Sequence, residues 1–177
     1  MAIDEEYTNI KQEKVPSLRP AFEKNGTVTA ANASSLNDGA AAIVVLSEKK
    51  SRELGIKPMA KIISYADAAT APIDFTIAPS LGIPVALKRA GLSVGDIAKW
   101  EINEAFAVVS IANNRRLNLD PSKVNVKGGA VALGHPIGAS GARILTTLLH
   151  SLNEGEFGVA SICNGGGAST TLVVQRM

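Results

Sequence analysis

From Met59 onward, short apolar runs of strand length alternate with longer stretches of helix length, and this alternation limits the fold more than any single residue does. Met59–Ala66 reads as a strand and Ile77–Ala90 as a helix ended by Gly91. Ile97–Ile102 is a strand, Glu104–Leu117 a helix, Val124–Val126 a short strand, and Ile137–Leu152 a helix closed by Gly155. Phe157–Cys163 and Ala168–Gln175 are strands joined through Gly165–Gly167 as a final hairpin. Strand–helix repetition followed by a hairpin predicts an α/β fold, layered, with a mixed sheet. Ala105–Ala112 is apolar nearly all round, which predicts a buried helix.

The first 58 residues do not share this pattern. Residues 1–37 are polar and turn-rich, with Pro16, Pro20 and an Asn25-Gly26 turn signal. Gly39–Leu46 is an apolar run of small residues, expected to be buried, and it leads into a polar helix over Glu48–Leu54, closed by Gly55 and Pro58. One strand and one helix are too little for a second core, so this part reads as the tail of something larger.

Composition narrows the function classes. Hydrophobic residues make up 46% and charged ones 19%, a globular profile rather than that of a disordered chain. Eighteen Lys+Arg against sixteen Asp+Glu leave +2, and the aromatic content is 4%, so neither a phosphate-binding charge surplus nor a base-stacking surface is present. Nucleic acid is therefore not an expected partner. No apolar run approaches the roughly 18–20 residues of a membrane span, and no membrane partner is expected. Met1–Glu6 is acidic and lacks a basic-then-apolar signal pattern. A single cysteine, Cys163, leaves no internal disulfide and no cysteine-based zinc site.

Three polar clusters interrupt the apolar pattern, each just after a predicted strand: Asn103-Glu104, Gly134-His135-Pro136 and Cys163-Asn164. Strand ends are where ligands bind in open α/β sheets. Pro136 suits the first turn of a helix, which puts His135 at or beside its N-cap, where the helix dipole disfavours imidazolium. A neutral imidazole there can take a proton from a thiol or donate to a developing oxyanion; a capping histidine in a glycine-rich turn is the alternative. Cys163 is either a small buried hydrophobe or a thiol activated beside the exposed N–H groups of Gly165–Gly167. Asn103 is either a site residue or an N-cap. His150, inside a helix, reads as a surface residue. The triple glycine is not a phosphate loop, since no Gly-Lys-Ser/Thr follows.

Taken together, Asn103-Glu-Ala-Phe106, the run Gly128–Arg143 around Gly134-His135-Pro136, and Cys163-Asn-Gly-Gly-Gly167 resemble the three C-terminal signatures of the thiolases. Gly26–Ser34 followed by Asn37-Asp-Gly-Ala-Ala41 is a fourth match, in family order. Pro72-Ile-Asp-Phe75 and Cys163-Asn164 are most similar to the mitochondrial-type members that act on acetyl-CoA. The resemblance implies a thiolase-like C-terminal domain: a mixed five-stranded sheet, helices on both faces and one buried central helix. It divides the chain at 58/59, with 1–58 the end of the loop region and the last elements of an N-terminal domain, and 59–177 the C-terminal domain.

The same resemblance assigns roles. It implies reversible condensation of two acetyl-CoA to acetoacetyl-CoA and CoA. Cys163 would move the α-proton, His135 would activate a nucleophilic cysteine and bind the thioester oxygen, and Asn103 would hold a water in that oxyanion hole. Gly165 N–H would serve a second hole, Ser34 would contact the pantetheine of CoA, and the backbone around Ala30, Ala31, Ala33 and Val131 would bind potassium. The nucleophilic cysteine of the family has no counterpart in these residues, so the chain alone is expected to be inactive and its partner to be the N-terminal thiolase half. A homodimer or homotetramer and a mitochondrial location are implied for the full-length enzyme, with a cytoplasmic location as the alternative. A non-catalytic CoA-binding or assembly module and a hydrolase-like Cys163–His135 pair are the competing readings. A ketoacyl synthase, which pairs two histidines with its cysteine, fits less well.

Overall fold

The computed structural model describes Thr8 and residues 10–177, and its elements follow the predicted alternation. They are α1 (Glu48–Glu53), β1 (Ala60–Ala69), α2 (Pro79–Ala90), β2 (Ile97–Ile102), α3 (Ala107–Leu117), α4 (Ala130–Leu133), α5 (Ile137–Ser151), β3 (Phe157–Cys163) and β4 (Ala168–Arg176). The apolar residues of β3 alternate between two cores, as the two-residue period of a strand requires. Val159 and Cys163 join Trp100, Ile102 and Val173 on one face, while Ala160 and Ile162 join Val174, Leu145 and Leu148 on the other. A sheet apolar on both sides needs helices on both sides. α2 covers the first face with Ile83, Ala86 and Leu87, and α5 covers the second with Ile144, Leu145 and Leu148. Each of these leucine and isoleucine side chains contributes about 1.5–3 kcal/mol on burial.

The sheet is mixed, in the order β1-β4-β3-β2, with β2 parallel to β3 and the other pairs antiparallel. It has four strands, not the expected five. The predicted strand at 124–126 pairs with β2 only at a Trp100–Val124 bridge, because Asn125 adopts φ 48° and turns the chain away. The Asn125 side chain completes the edge instead. Its amide accepts from Ile102 N–H and donates to Ile102 O, each at 2.9 Å.

Two burial expectations also fail, for one reason. α3 buries Val109 and Asn113 but leaves Val108 and Ile111 exposed, so it is covered on one side only. The Gly39–Leu46 run has no regular structure, and Val44 is 85% exposed. No element among the described residues lies over either. α1, by contrast, is held locally: Ser47 Oγ accepts from Lys50 N–H, and ion pairs join Glu48 to Arg52 and Glu53 to Lys50. α3 also starts at Ala107 rather than Glu104. The backbone before it is taken by residues 32–34, since Ser34 N–H donates to Ala105 O and Ala107 N–H to Asn32 O.

Candidate active site

β2 and β3 run parallel and end side by side, which brings the first and last polar clusters to one edge of the sheet. Asn103 continues the ladder of β2, its N–H donating to Ser161 O at 3.0 Å. It is not a helix cap, because Phe106 holds that position for α3. Asn103 is buried, and its Nδ2 lies 3.3 Å from His135 Nε2, so the structure joins two of the three sequence clusters directly.

The backbone around His135 is shaped by what passes beside it. Gly134 has φ 88°, and a Cβ there would stand 2.3 Å from Asn37 Oδ1, so this position needs glycine twice over. His135 N–H donates to Ser35 O at 2.8 Å. Pro136 is the N-cap of α5 rather than a residue of its first turn, which leaves the imidazole just outside the positive end of the helix.

The imidazole is held at both ring nitrogens. Ser140 Oγ sits 2.6 Å from His135 Nδ1 and 3.1 Å from Pro136 O. With the Ser140 hydroxyl turned to Pro136 O, Nδ1 carries the imidazole proton and Nε2 presents its lone pair to the Asn103 amide. Burial, and after it the Arg143 guanidinium, holds the His135 pKa below its ordinary value, so the ring is a neutral base near neutral pH. Asn103 Oδ1 is buried with no hydrogen-bond partner among the described residues. A buried carbonyl left so costs about 1–3 kcal/mol, a deficit that one bridging water removes.

Cys163 closes β3 on the opposite face, against the core that contains Trp100 and Val159. Burial pushes its thiol up to about 11, with a smaller opposing effect of its own backbone N–H. The glycine turn does not activate it: Gly166 N–H donates to Asn164 Oδ1 and Gly167 N–H to Asn164 O. No hydrogen bond links Cys163 to His135 or Asn103 among the described residues, and a thiol shifted upward is the reverse of an activated nucleophile. The hydrolase-like pair is not made. Gly165 is exposed, and its N–H is used by no other described residue.

The remaining candidates lie along the segment that threads between α3 and α5. Ser34 Oγ donates to Ala105 O at 2.9 Å, so its proton already serves the fold and only its lone pairs remain for a ligand. The carbonyls of Ala30, Ala31 and Ala33 accept no hydrogen bond among the described residues. Val131 N–H donates to Glu104 Oε2 at 3.4 Å. Carbonyl oxygens are hard donors of the kind that hard cations take, while the Val131 N–H is already engaged by Glu104. His150 is exposed on α5, as expected. Sequence reading missed Ser140, Glu101 and Arg143. Their signal was spacing: a hydroxyl five residues after His135, and a carboxylate inside an otherwise apolar strand end.

Comparison with known proteins agrees along nearly the whole chain. The family described as Thiolase, C-terminal domain, matches residues 56–176, and Thiolase, N-terminal domain, matches residues 1–49. An acetyl-CoA acetyltransferase of Yarrowia lipolytica is 66% identical over 174 residues, 98% of this chain and 44% of that protein. A mitochondrial acetyl-CoA acetyltransferase of Rattus norvegicus is 57% identical over 175 residues, 98% of this chain and 41% of that protein. The crystal structure of Acat5 thiolase from Ascaris suum in complex with coenzyme A superposes with a TM-score of 0.93 at 51% identity, covering all of this chain and 47% of that one. The chain thus spans less than half the length of the relatives it matches.

Proposed function

The chain belongs to the thiolase family, and on that premise we propose that it is the acid/base half of an acetyl-CoA C-acetyltransferase site, serving reversible condensation of two acetyl-CoA to acetoacetyl-CoA and CoA. The carrying observation is the Asn103–His135–Ser140 chain, which orients the His135 imidazole at the end of the sheet with both ring nitrogens engaged by side chains. A reaction that must first deprotonate a thiol needs a neutral base so oriented.

In this reading the nucleophilic cysteine lies in the N-terminal thiolase half, outside these residues. His135 Nε2 takes its proton, and the resulting N–H then donates to the thioester oxygen. Asn103 Oδ1 accepts from a water that completes that hole, and Gly165 N–H serves the second one. Cys163, held protonated by burial, acts first as an acid: its proton goes to the departing CoA thiolate. The Cys163 thiolate so formed then takes the α-proton of the second acetyl-CoA. The α-carbon attacks the acetyl group carried on the nucleophilic cysteine, the carbon–sulfur bond breaks, and the cysteine thiolate released takes back the proton held by His135. The developing enolate needs donors aimed at its oxygen, each worth up to about 3–4 kcal/mol in such sites. Ser34 would accept from the CoA pantetheine. A potassium ion, where bound, would supply positive charge that ties the carbonyls of Ala30, Ala31 and Ala33 and the backbone at Val131 near Glu104.

The exposed Val44 run and the uncovered side of α3 support a division at 58/59, with 1–58 completing an N-terminal domain and 59–177 forming the C-terminal one. Isolated residues 1–177 are then inactive in acyl transfer. A mitochondrial location and a homodimeric or homotetrameric full-length enzyme follow from the same reading. The test is thiolysis of acetoacetyl-CoA by the chain complemented with a cysteine-bearing N-terminal thiolase half. His135→Ala and Cys163→Ala should each lower kcat by roughly 10²–10⁴-fold. Full activity of Cys163→Ala would overturn the assignment.

A further inference from the structure

The chain holds two Asn-Gly dipeptides, Asn25-Gly26 and Asn164-Gly165. An asparagine before glycine is more labile than other asparagines, because the following backbone nitrogen can reach its side-chain amide carbon. Glycine has no Cβ in the way, and its backbone turns freely. What separates the two dipeptides is how the fold disposes of that nitrogen.

Gly26 N–H donates to Glu23 O at 2.9 Å, and the same oxygen lies 3.2 Å from where a Cβ on Gly26 would stand. The nitrogen is committed and its surroundings are close. Asn164 and Gly165 are instead both exposed, and a Cβ on Gly165 would meet no atom within 4 Å. Gly165 N–H donates to no other described residue. The rest of this turn is held: Asn164 N–H donates to Ala168 O at 2.9 Å, and Gly167 N–H to Asn164 O at 3.1 Å. Gly166 N–H donates to Asn164 Oδ1 at 2.9 Å. That bond makes an Asx turn, which is its structural part. It also aims a donor at the oxygen that turns negative when the amide carbon is attacked, as an oxyanion hole does.

We propose that Asn164-Gly165 is a modification site, where the chain deamidates itself through a succinimide next to Cys163. Hydroxide removes the Gly165 amide proton and the nitrogen attacks Asn164 Cγ. The bond from Cγ to the side-chain nitrogen breaks, and ammonia leaves with a proton taken from water. Water then opens the five-membered imide. Opening at Cγ leaves aspartate, and opening at the main-chain carbonyl leaves isoaspartate, whose backbone runs through Cβ and Cγ. Either product puts a carboxylate beside Cys163, and isoaspartate adds a backbone atom ahead of the Gly165 N–H. On the thiolase reading that N–H then no longer points at its oxyanion. The chemistry at Asn164 itself does not depend on that reading.

The test is ageing of the 177-residue chain in mildly alkaline buffer, followed by proteolytic peptide mapping with mass spectrometry. In the native chain Asn164 should convert at least about fivefold faster than Asn25, the factor that one net hydrogen bond represents. Isoaspartate should appear beside aspartate among the products. In urea, where neither dipeptide is held by the fold, the two rates should draw together. Gly165→Ala should slow conversion of Asn164 and leave that of Asn25 unchanged. Equal native rates, faster conversion at Asn25, or an Asn164 that survives in the native chain yet converts in urea overturns the proposal. No CoA or turnover enters the readout, so its failure and that of the thiolase assignment are separable.

Discussion

Gly39–Leu46 and Phe157–Cys163 are apolar runs of similar length, yet the structure treats them oppositely. Val159 is fully buried between two helical layers, whereas Val44 is 85% exposed and belongs to no strand. The hydropathy of a segment states what it needs covered, and whether the cover is present depends on the rest of the molecule. The exposed side of α3 teaches the same lesson, since Val108 and Ile111 are as apolar as Val109.

The largest effect that sharpens this contrast comes from truncation. Trp100→Ala, in the covered core, should cost about 3–5 kcal/mol in urea denaturation. Val44→Ala should change stability by less than about 0.5 kcal/mol. Equal costs would show that the Gly39–Leu46 run is packed after all.

A second comparison uses pH. The Cys163 thiol has a folded pKa near 11 against an ordinary 9.0. The folded state therefore holds the proton more tightly, and this contribution is complete below pH 9 and lost as pH rises toward 11. Stability should fall by roughly 2–3 kcal/mol more across that window than in Cys163→Ala. A parallel pH profile for the two would show that the thiol is not buried as described.

The glycines around the site give a smaller effect. Gly134→Ala should cost about 1–3 kcal/mol, from its positive φ and the clash with Asn37. Gly165→Ala, where a methyl meets no atom within 4 Å, should be close to neutral in stability. A neutral Gly134→Ala would mean that the Asn37 segment does not press against the imidazole turn.

Much of this was readable in advance. β2 and β3 have the predicted limits, α2 and α5 fall within two residues of theirs, and helices cover both faces of a mixed sheet, whereas α3 starts three residues late and α4 was not foreseen. The polar interruptions at Asn103 and His135 do meet. What sequence could not supply was three-dimensional register. The 124–126 segment has strand chemistry, but Asn125 turns it and substitutes a side chain for a fifth strand. Ser140 and Arg143 matter because α5 turns them toward His135 and β2, and Glu101 because β2 points it away from Trp100. The exposure of 39–46 was unreadable because apolar residues alone do not say where their partner resides.

The most direct measurement of the central claim is thiolysis of acetoacetyl-CoA by the purified chain, alone and after addition of a cysteine-bearing N-terminal thiolase half. The account predicts no CoA-dependent cleavage from the chain alone, and cleavage that appears on complementation and is lost with His135→Ala. Turnover by the isolated chain that survives His135→Ala would contradict it.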